Sequence, residues 1–168
     1  MSYSIEDVNK MSKQMFVEKI GSVFELSPWI AEQAWEEHPY DHVNSLYEVM
    51  VNKMYEANME LQLGLLKAHP DLGTKLEMTD SSIGEQSEAG LSELTDEEYK
   101  EFSKLNRLYM DRFAFPFIMA VKGCNKDLIK ECMYKRIEND FDKEFQTALR
   151  EVCKIARFRL IQLFNQPN

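Results

Sequence analysis

Apolar residues recur every three or four positions along almost the whole chain, and this periodicity constrains the fold more than any other feature. It is the spacing of an amphipathic helix, in which one stripe of side chains faces a core. No alternating apolar and polar run is long enough to require a β-sheet, and 168 residues contain only six glycines and five prolines. The pattern predicts an all-α fold, a single-domain bundle of about eight or nine helices over residues 1–165, with a polar tail at 166–168.

Capping residues predict where several helices begin. The predicted starts share a polar side chain close to the first helical residue, and they are Ser4 with Asp7, Ser27 with Pro28, and Thr95 with Glu98. Periodicity lapses over residues 71–94, which we expect to be irregular. The apolar residues 115–121, after which a glycine follows at 123, fit either an extended piece or a buried helical turn. A last long helix is expected over about residues 141–164.

The charge balance excludes several classes of partner. The chain has 29 acidic and 20 basic side chains and a formal net charge of -9, which opposes binding to nucleic-acid phosphates and to anionic membranes. No stretch approaches the roughly 18 apolar residues of a membrane-spanning helix. Three cysteines without metal-binding spacing, Cys124, Cys132 and Cys153, indicate a reducing compartment. We therefore expect a cytoplasmic protein that binds neither nucleic acid nor membrane.

His69 is the first of three departures from the plain helical pattern. It ends an apolar helix, and Pro70 prevents the helix from continuing. One interpretation is structural, with the imidazole interacting with the carbonyl groups at the helix end. The other is a titratable imidazole at the mouth of a loop, available for acid–base catalysis.

The second departure is Ser82-Ile83-Gly84-Glu85-Gln86, which lies within the irregular stretch. Ser-x-x-Glu is the pattern of a capping box, so Glu85 could serve only to satisfy the Ser82 amide. Alternatively, the start of a short helix here offers free N–H groups to a polar or anionic ligand, and Gly84 allows close approach.

The third departure is Arg159 in the last helix. It follows Phe145 and Val152 at intervals of seven residues and therefore lies on the inward stripe. Arg157 is about 200° around the helix from it and is expected to face solvent. Arg159 is either one partner of a buried ion pair or a fixed cation for an anionic substrate.

A histidine pair is a weaker candidate for chemistry. His38 and His42 are four residues apart with acidic neighbours, as in some metal sites. Pro39 lies between them and breaks the helix that would place both rings on one face, so a metal site is disfavoured.

Taken together, these places resemble a known family, the 2-oxo-4-hydroxy-4-carboxy-5-ureidoimidazoline (OHCU) decarboxylases of uric acid degradation. The likeness is carried by His69-Pro70-Asp71-Leu72, by Ser82-x-x-Glu85-Gln86-x-x-Ala89-Gly90-Leu91, by Leu105-Asn106-x-x-Tyr109-x-x-Arg112-Phe113-x-Phe115-Pro116-Phe117-Ile118-x-Ala120-Val121-x-Gly123, and by Arg159-Leu160. One departure from the family pattern is Ala114, where many members have glycine. We expect its methyl group to tighten packing.

The resemblance implies an all-helical, cofactor-free enzyme, usually a homodimer, that converts the ureidoimidazoline into (S)-allantoin with loss of carbon dioxide and without a metal. It assigns catalysis to His69, Glu85 and Arg159. It places substrate-binding groups on Pro70, Ser82, Ile83, Gly84, Gln86, Phe117, Ile118, Met119, Ala120 and Val121. Because the family also occurs fused to urate oxidase, fusion or association with that enzyme is a further expectation.

Two other functions stay open from the sequence. One is a non-enzymatic helical module whose aromatic segment, residues 115–121, docks a partner. The other is a metal-assisted hydrolase of a ureido compound that uses His38, His42 and His69.

Overall fold

The computed structural model describes residues 2–74 and 77–164, and all regular structure within these ranges is helical. Its elements are α1 Ile5–Asn9, α2 Lys13–Lys19, a 3-10 turn at Gly21–Val23, α3 Trp29–Trp35, α4 Val43–Glu56, α5 Met59–Lys67, α6 Asp80–Glu88, α7 Asp96–Phe113, α8 Lys126–Ile137 and α9 Phe141–Phe164. The predicted all-α class is confirmed. The predicted polar tail at 166–168 lies outside the described residues.

Two of the three predicted helix starts are confirmed as reciprocal capping boxes, Ser4 with Asp7 at α1 and Thr95 with Glu98 at α7. The prediction for Ser27 is wrong. Pro28 occupies the N-cap position of α3, and the Ser27 hydroxyl donates to the carbonyl of Glu25 at 2.9 Å. The hydroxyl is therefore turned back towards the preceding turn and does not cap the helix.

Residues 71–94 are less irregular than predicted, because α6 lies within them. Thr79 caps this helix, and its Oγ1 accepts a hydrogen bond from the Ser82 amide at 3.3 Å. The buried residues of α6 are Ser82 and Gln86, both polar, so the helix has no apolar stripe for a periodicity argument to detect. The chain leaves α6 through Gly90, whose φ of +82° lies in the left-handed region that favours glycine.

The aromatic segment forms neither a helix nor a strand, which excludes the buried helical turn that the sequence left open. α7 ends before it at Ala114, which has a φ of +61°. The expectation that the Ala114 methyl group tightens packing is wrong, because this residue is exposed. Phe115 and Phe117 are fully buried, and their rings lie 5.9 and 5.3 Å from the ring of Tyr109.

By their internal contacts the described residues form two compact units, one made of 2–68 with 153–164 and the other of residues within 69–152. In the first unit α3 packs against α2 and α4. The core of this unit includes Phe16, Ile20, Phe24, Ile30, Leu46, Met50 and Met54. In the second unit α7 packs against α8, and the buried side chains include Phe102, Leu105, Tyr109, Phe113, Ile129 and Met133. None of the described helices combines the length and the apolar composition that crossing a bilayer requires.

Candidate active site

His69 lies where α5 gives way to a loop. The helix ends at Lys67 with Ala68 as its C-cap, and Pro70 cannot continue it. Only 8% of His69 is exposed. The His69 side chain is therefore largely buried at the junction between a helix and a loop, a position compatible with both interpretations of this residue.

Gln86 fastens the loop that follows His69 to α6. Its Oε1 accepts a hydrogen bond from the Gly73 amide at 2.9 Å, and its Nε2 donates to the carbonyl of Asp71 at 3.1 Å. The Gln86 side chain is 5% exposed, so these bonds form away from water and constrain the loop. Since Glu85 is the neighbouring residue on α6, His69 and Glu85 belong to two elements that are bonded to each other.

The other predicted residues of α6 lie inside the helix. Ser82 is 5% exposed, Ile83 is 48% exposed, and a Cβ added to Gly84 would meet open space. The predicted capping box at Ser82 is wrong because Thr79 caps the helix. The predicted free amides at this point are wrong for the same reason, since from Ile83 onward the N–H groups bond to carbonyls one turn earlier.

Two side chains hold the main chain of the aromatic segment. Arg136 Nη1 donates to the carbonyl of Ile118 at 2.7 Å, and Glu151 Oε1 accepts from the amide of Ala120 at 3.3 Å. The amides of Ile118 and Met119 donate to no residue that the structure describes. Peptide N–H groups that make no hydrogen bond within the described part of the chain are suited to bind a polar ligand.

Arg136 belongs to a buried polar cluster that the sequence analysis missed. The carboxylate of Glu144 is fully buried, and it accepts hydrogen bonds from Tyr109 Oη at 2.5 Å, Arg136 Nε at 3.0 Å and Asn139 Nδ2 at 2.8 Å. Burial raises the pKa of Tyr109 above its ordinary value, and the hydrogen bond to Glu144 is the second cause of this shift. The hydroxyl therefore stays protonated and donates.

Arg159 lies on the inward stripe of α9 as predicted, and it is 7% exposed. Its Nη2 is 2.8 Å from Oε2 of Glu25, which is 2% exposed. This is the buried ion pair that the sequence analysis gave as the structural alternative. Glu25 itself was missed, and its only signal is an acidic residue within the apolar run Val23-Phe24-Glu25-Leu26. Arg157 is exposed, as predicted.

A cavity of about 350 Å³ adjoins the loop after His69. Its lining consists of Asp71, Gly73, Thr74, Tyr99, Ser103, Asn106, Arg107, Met110 and Asp111. Burial raises the pKa of Asp71, and the Asn106 side chain donates to the carbonyl of Leu72 at 2.8 Å. Because none of the predicted catalytic residues lines this cavity, we do not assign the reaction to it.

His38 and His42 have separate structural contacts. The His38 ring stacks on Trp35 with centroids 3.7 Å apart, and its Nδ1 lies 2.6 Å from the Trp35 carbonyl oxygen. Nδ1 of His42 accepts from the Ser45 amide at 3.0 Å and so caps α4. Within residues 2–74 and 77–164, no three His, Cys, Asp or Glu side chains group as metal ligands would.

Comparison with known proteins identifies the family. A family model described as OHCU decarboxylase matches residues 9–161. The 2-oxo-4-hydroxy-4-carboxy-5-ureidoimidazoline decarboxylase of Halalkalicoccus jeotgali is 46% identical over 95% of this chain and 91% of that protein. The uric acid degradation bifunctional protein PucL of Bacillus subtilis is 43% identical over 98% of this chain, which spans 33% of that protein.

Solved structures share the fold. A crystal structure of (S)-allantoin synthase matches 95% of this chain with a TM-score of 0.78 and 27% identity, and this chain spans 53% of that one. A structure of OHCU decarboxylase in the presence of (S)-allantoin matches 93% of this chain and all of the other, with a TM-score of 0.75; at 22% identity it shows the fold alone. The fold and the sequence relatives define this chain as a decarboxylase, a carbon–carbon lyase. It belongs to the OHCU decarboxylase family.

Proposed function

We propose that this chain decarboxylates 2-oxo-4-hydroxy-4-carboxy-5-ureidoimidazoline to (S)-allantoin in uric acid degradation, without a cofactor. The observation that supports this most is the attachment of the His69 loop to α6 through Gln86, because it links the element of the proposed acid–base histidine to that of the proposed carboxylate. The names of the sequence relatives supply the substrate.

His69 is the proposed proton donor. Loss of carbon dioxide from a carbon beside a C=N bond pushes an electron pair towards that bond, so the reaction needs a proton near the nitrogen and later a proton on the carbon. Imidazole both gives and takes a proton near neutral pH. A buried imidazole at a fixed position delivers its proton to one face of a planar ring, which produces one enantiomer.

Glu85 is the proposed carboxylate of the site. In its ionised form it orients the imidazole of His69 or accepts a hydrogen bond from the ring hydroxyl or the ureido N–H of the substrate. Its half-buried position on α6 is compatible with either role. The other proposed substrate-binding residues near His69 and on α6 are Pro70, Ser82, Ile83, Gly84 and Gln86. Those of the aromatic segment are Phe117, Ile118, Met119, Ala120 and Val121.

Arg159 is proposed to stabilise charge that moves to the ring oxygen, or to hold the substrate carboxylate out of the ring plane. A cation that only gripped the departing carboxylate would stabilise the charged ground state more than neutral carbon dioxide and would slow the reaction. The ion pair with Glu25 fixes the direction of the guanidinium, and it also offsets part of the positive charge that this role uses.

Circular dichroism with freshly prepared substrate tests the proposed function. Spontaneous decay gives racemic allantoin, so we expect the signal of the (S) enantiomer to develop rapidly with the wild-type protein and to be lost in His69→Ala. Far-ultraviolet spectra of the two proteins serve as the folding control. Racemic product at the spontaneous rate would contradict the proposal and favour an interaction module instead. Loss of activity in a strong chelator would favour the metal-assisted hydrolase.

We further propose that the protein is a cytoplasmic homodimer that acts with, or fused to, a urate oxidase. The homodimer rests on the family resemblance, and light scattering tests it. The relation to other steps of uric acid degradation is supported by the bifunctional proteins of Bacillus, in which the part similar to this chain is about one third of the length. The free thiols of Cys124, Cys132 and Cys153 are compatible with a reducing compartment.

A further inference from the structure

The guanidinium of Arg136 makes three different contacts at once. Its Nε donates to Glu144 Oε2 at 3.0 Å, its Nη1 donates to the Ile118 carbonyl at 2.7 Å, and its Cζ lies 4.3 Å from the centroid of the Phe117 ring. The side chain of Arg136 is 12% exposed and that of Glu144 is 0% exposed. One side chain therefore connects a buried carboxylate with the main chain of the aromatic segment.

We propose that Arg136, anchored by Glu144, is a positioning residue that fixes the peptide groups of residues 118–121 for substrate binding. This inference rests on the proposed function. Arg136 donates to the carbonyl of Ile118, and Glu151 accepts from the amide of Ala120. The carbonyl of Val121 accepts from the Cys124 amide at 2.9 Å. These three bonds hold the segment, and the amides of Ile118 and Met119, which find no acceptor among the described residues, are the groups that would bind the ligand.

The geometry requires an arginine and an anchored carboxylate. A planar guanidinium donates in two directions and stacks on an aromatic ring at the same time, whereas a lysine ammonium is a point charge that cannot satisfy all three contacts. Glu144 is in turn held by Tyr109 and Asn139, at 2.5 and 2.8 Å. Rotation of the Glu144 carboxylate would break those bonds. The carboxylate therefore keeps a fixed orientation, and its hydrogen bond to Nε fixes the orientation of the Arg136 guanidinium.

Steady-state kinetics of Arg136→Lys test the inference, with each protein assayed well below its own melting temperature. We expect kcat/KM to fall about tenfold or more, mainly through KM, because peptide groups that bind the ring do so in both the ground state and the transition state. Glu144→Gln keeps the shape of the anchor and removes its charge, so it should shift KM in the same direction by a smaller factor. It replaces Arg136→Lys if that variant fails to fold.

Arg112→Lys is the matched control. Arg112 also donates to a carbonyl, that of Asn139 at 3.1 Å, and its Cζ lies 5.4 Å from the Phe113 ring, but it makes no hydrogen bond to the aromatic segment. Its KM should stay within about twofold of wild type. A folded Arg136→Lys protein with wild-type KM and kcat would overturn this inference alone. Absence of (S)-allantoin formation by the wild-type protein would instead overturn the proposed function.

Discussion

Ala114 has a backbone conformation that is unfavourable for a residue with a Cβ atom. Its φ of +61° places it in the left-handed region at the end of α7, and it is exposed there. For a residue with a Cβ this conformation costs about 1–2 kcal/mol, whereas glycine adopts it freely. The family resemblance is informative here, because the residue that many members have at this position is the one that the observed backbone prefers.

Ala114→Gly is therefore expected to stabilise the protein. The gain should be about 0.5–1 kcal/mol, after the greater freedom of glycine in the unfolded chain is subtracted from the relieved strain. Urea denaturation of both proteins measures it. Since an exposed methyl group is all that the substitution removes, kcat/KM should not change. A loss of stability would show that the left-handed backbone is not a source of strain at this position.

At the scale of helices, the stripe of α9 shows what could be predicted from the sequence. The inward position of Arg159 followed from spacing alone, and Glu144 lies on the same stripe, four residues before the buried Ala148. The partners could not be predicted in this way. Glu25 is far in sequence from Arg159, and Arg136, although only eight residues before Glu144, belongs to a different helix. Helical periodicity contains no information about contacts between elements.

α6 is a helix that the periodicity of the sequence could not predict. Its buried residues are polar, so the periodicity that identified the other helices was missing, and Thr79 was overlooked as its cap. The motif around Glu85 and Gln86 was found nevertheless, first from the Ser-x-x-Glu spacing and then through the family resemblance. The motifs of the proposed site could thus be found from residue type and order, whereas the hydrogen bonds that hold them depend on tertiary structure.

Glu98 connects the start of α7 to α8 and gives the fold a dependence on pH. The hydrogen bond from Lys126, and then that from the Thr95 amide, lower the pKa of Glu98 to about 2 from an ordinary 4.5. A carboxylate with a lowered pKa in the folded state contributes stability above its unfolded pKa, and this contribution is lost as the pH falls through the folded value.

Glu98→Gln should consequently flatten the dependence of the melting temperature on pH between about 5 and 2, because glutamine does not titrate there. Thermal melts of the two proteins across this range measure the slope. Glu97→Gln, in the same turn of α7 but outside the capping box, is the control and should follow the wild-type profile. Parallel profiles for Glu98→Gln and wild type would contradict the assignment of this titration to Glu98.

The whole molecule combines a helical fold shared with the OHCU decarboxylase family and a set of proposed catalytic groups. Nearly the full chain matches the family, since the family model covers residues 9–161. The second unit contains the His69 loop, which Gln86 holds to α6, and the aromatic segment, which Arg136 holds; both belong to the proposed site. The first unit contains the buried ion pair of Arg159 and Glu25.

A crystal structure of the protein with (S)-allantoin bound would test the central claim most directly. The account predicts one molecule of product whose ring is within hydrogen-bonding distance of His69, Glu85 and Arg159 and of a main-chain group in residues 117–121. Product bound at a place that includes none of these side chains, or the three side chains directed into unconnected regions, would contradict it.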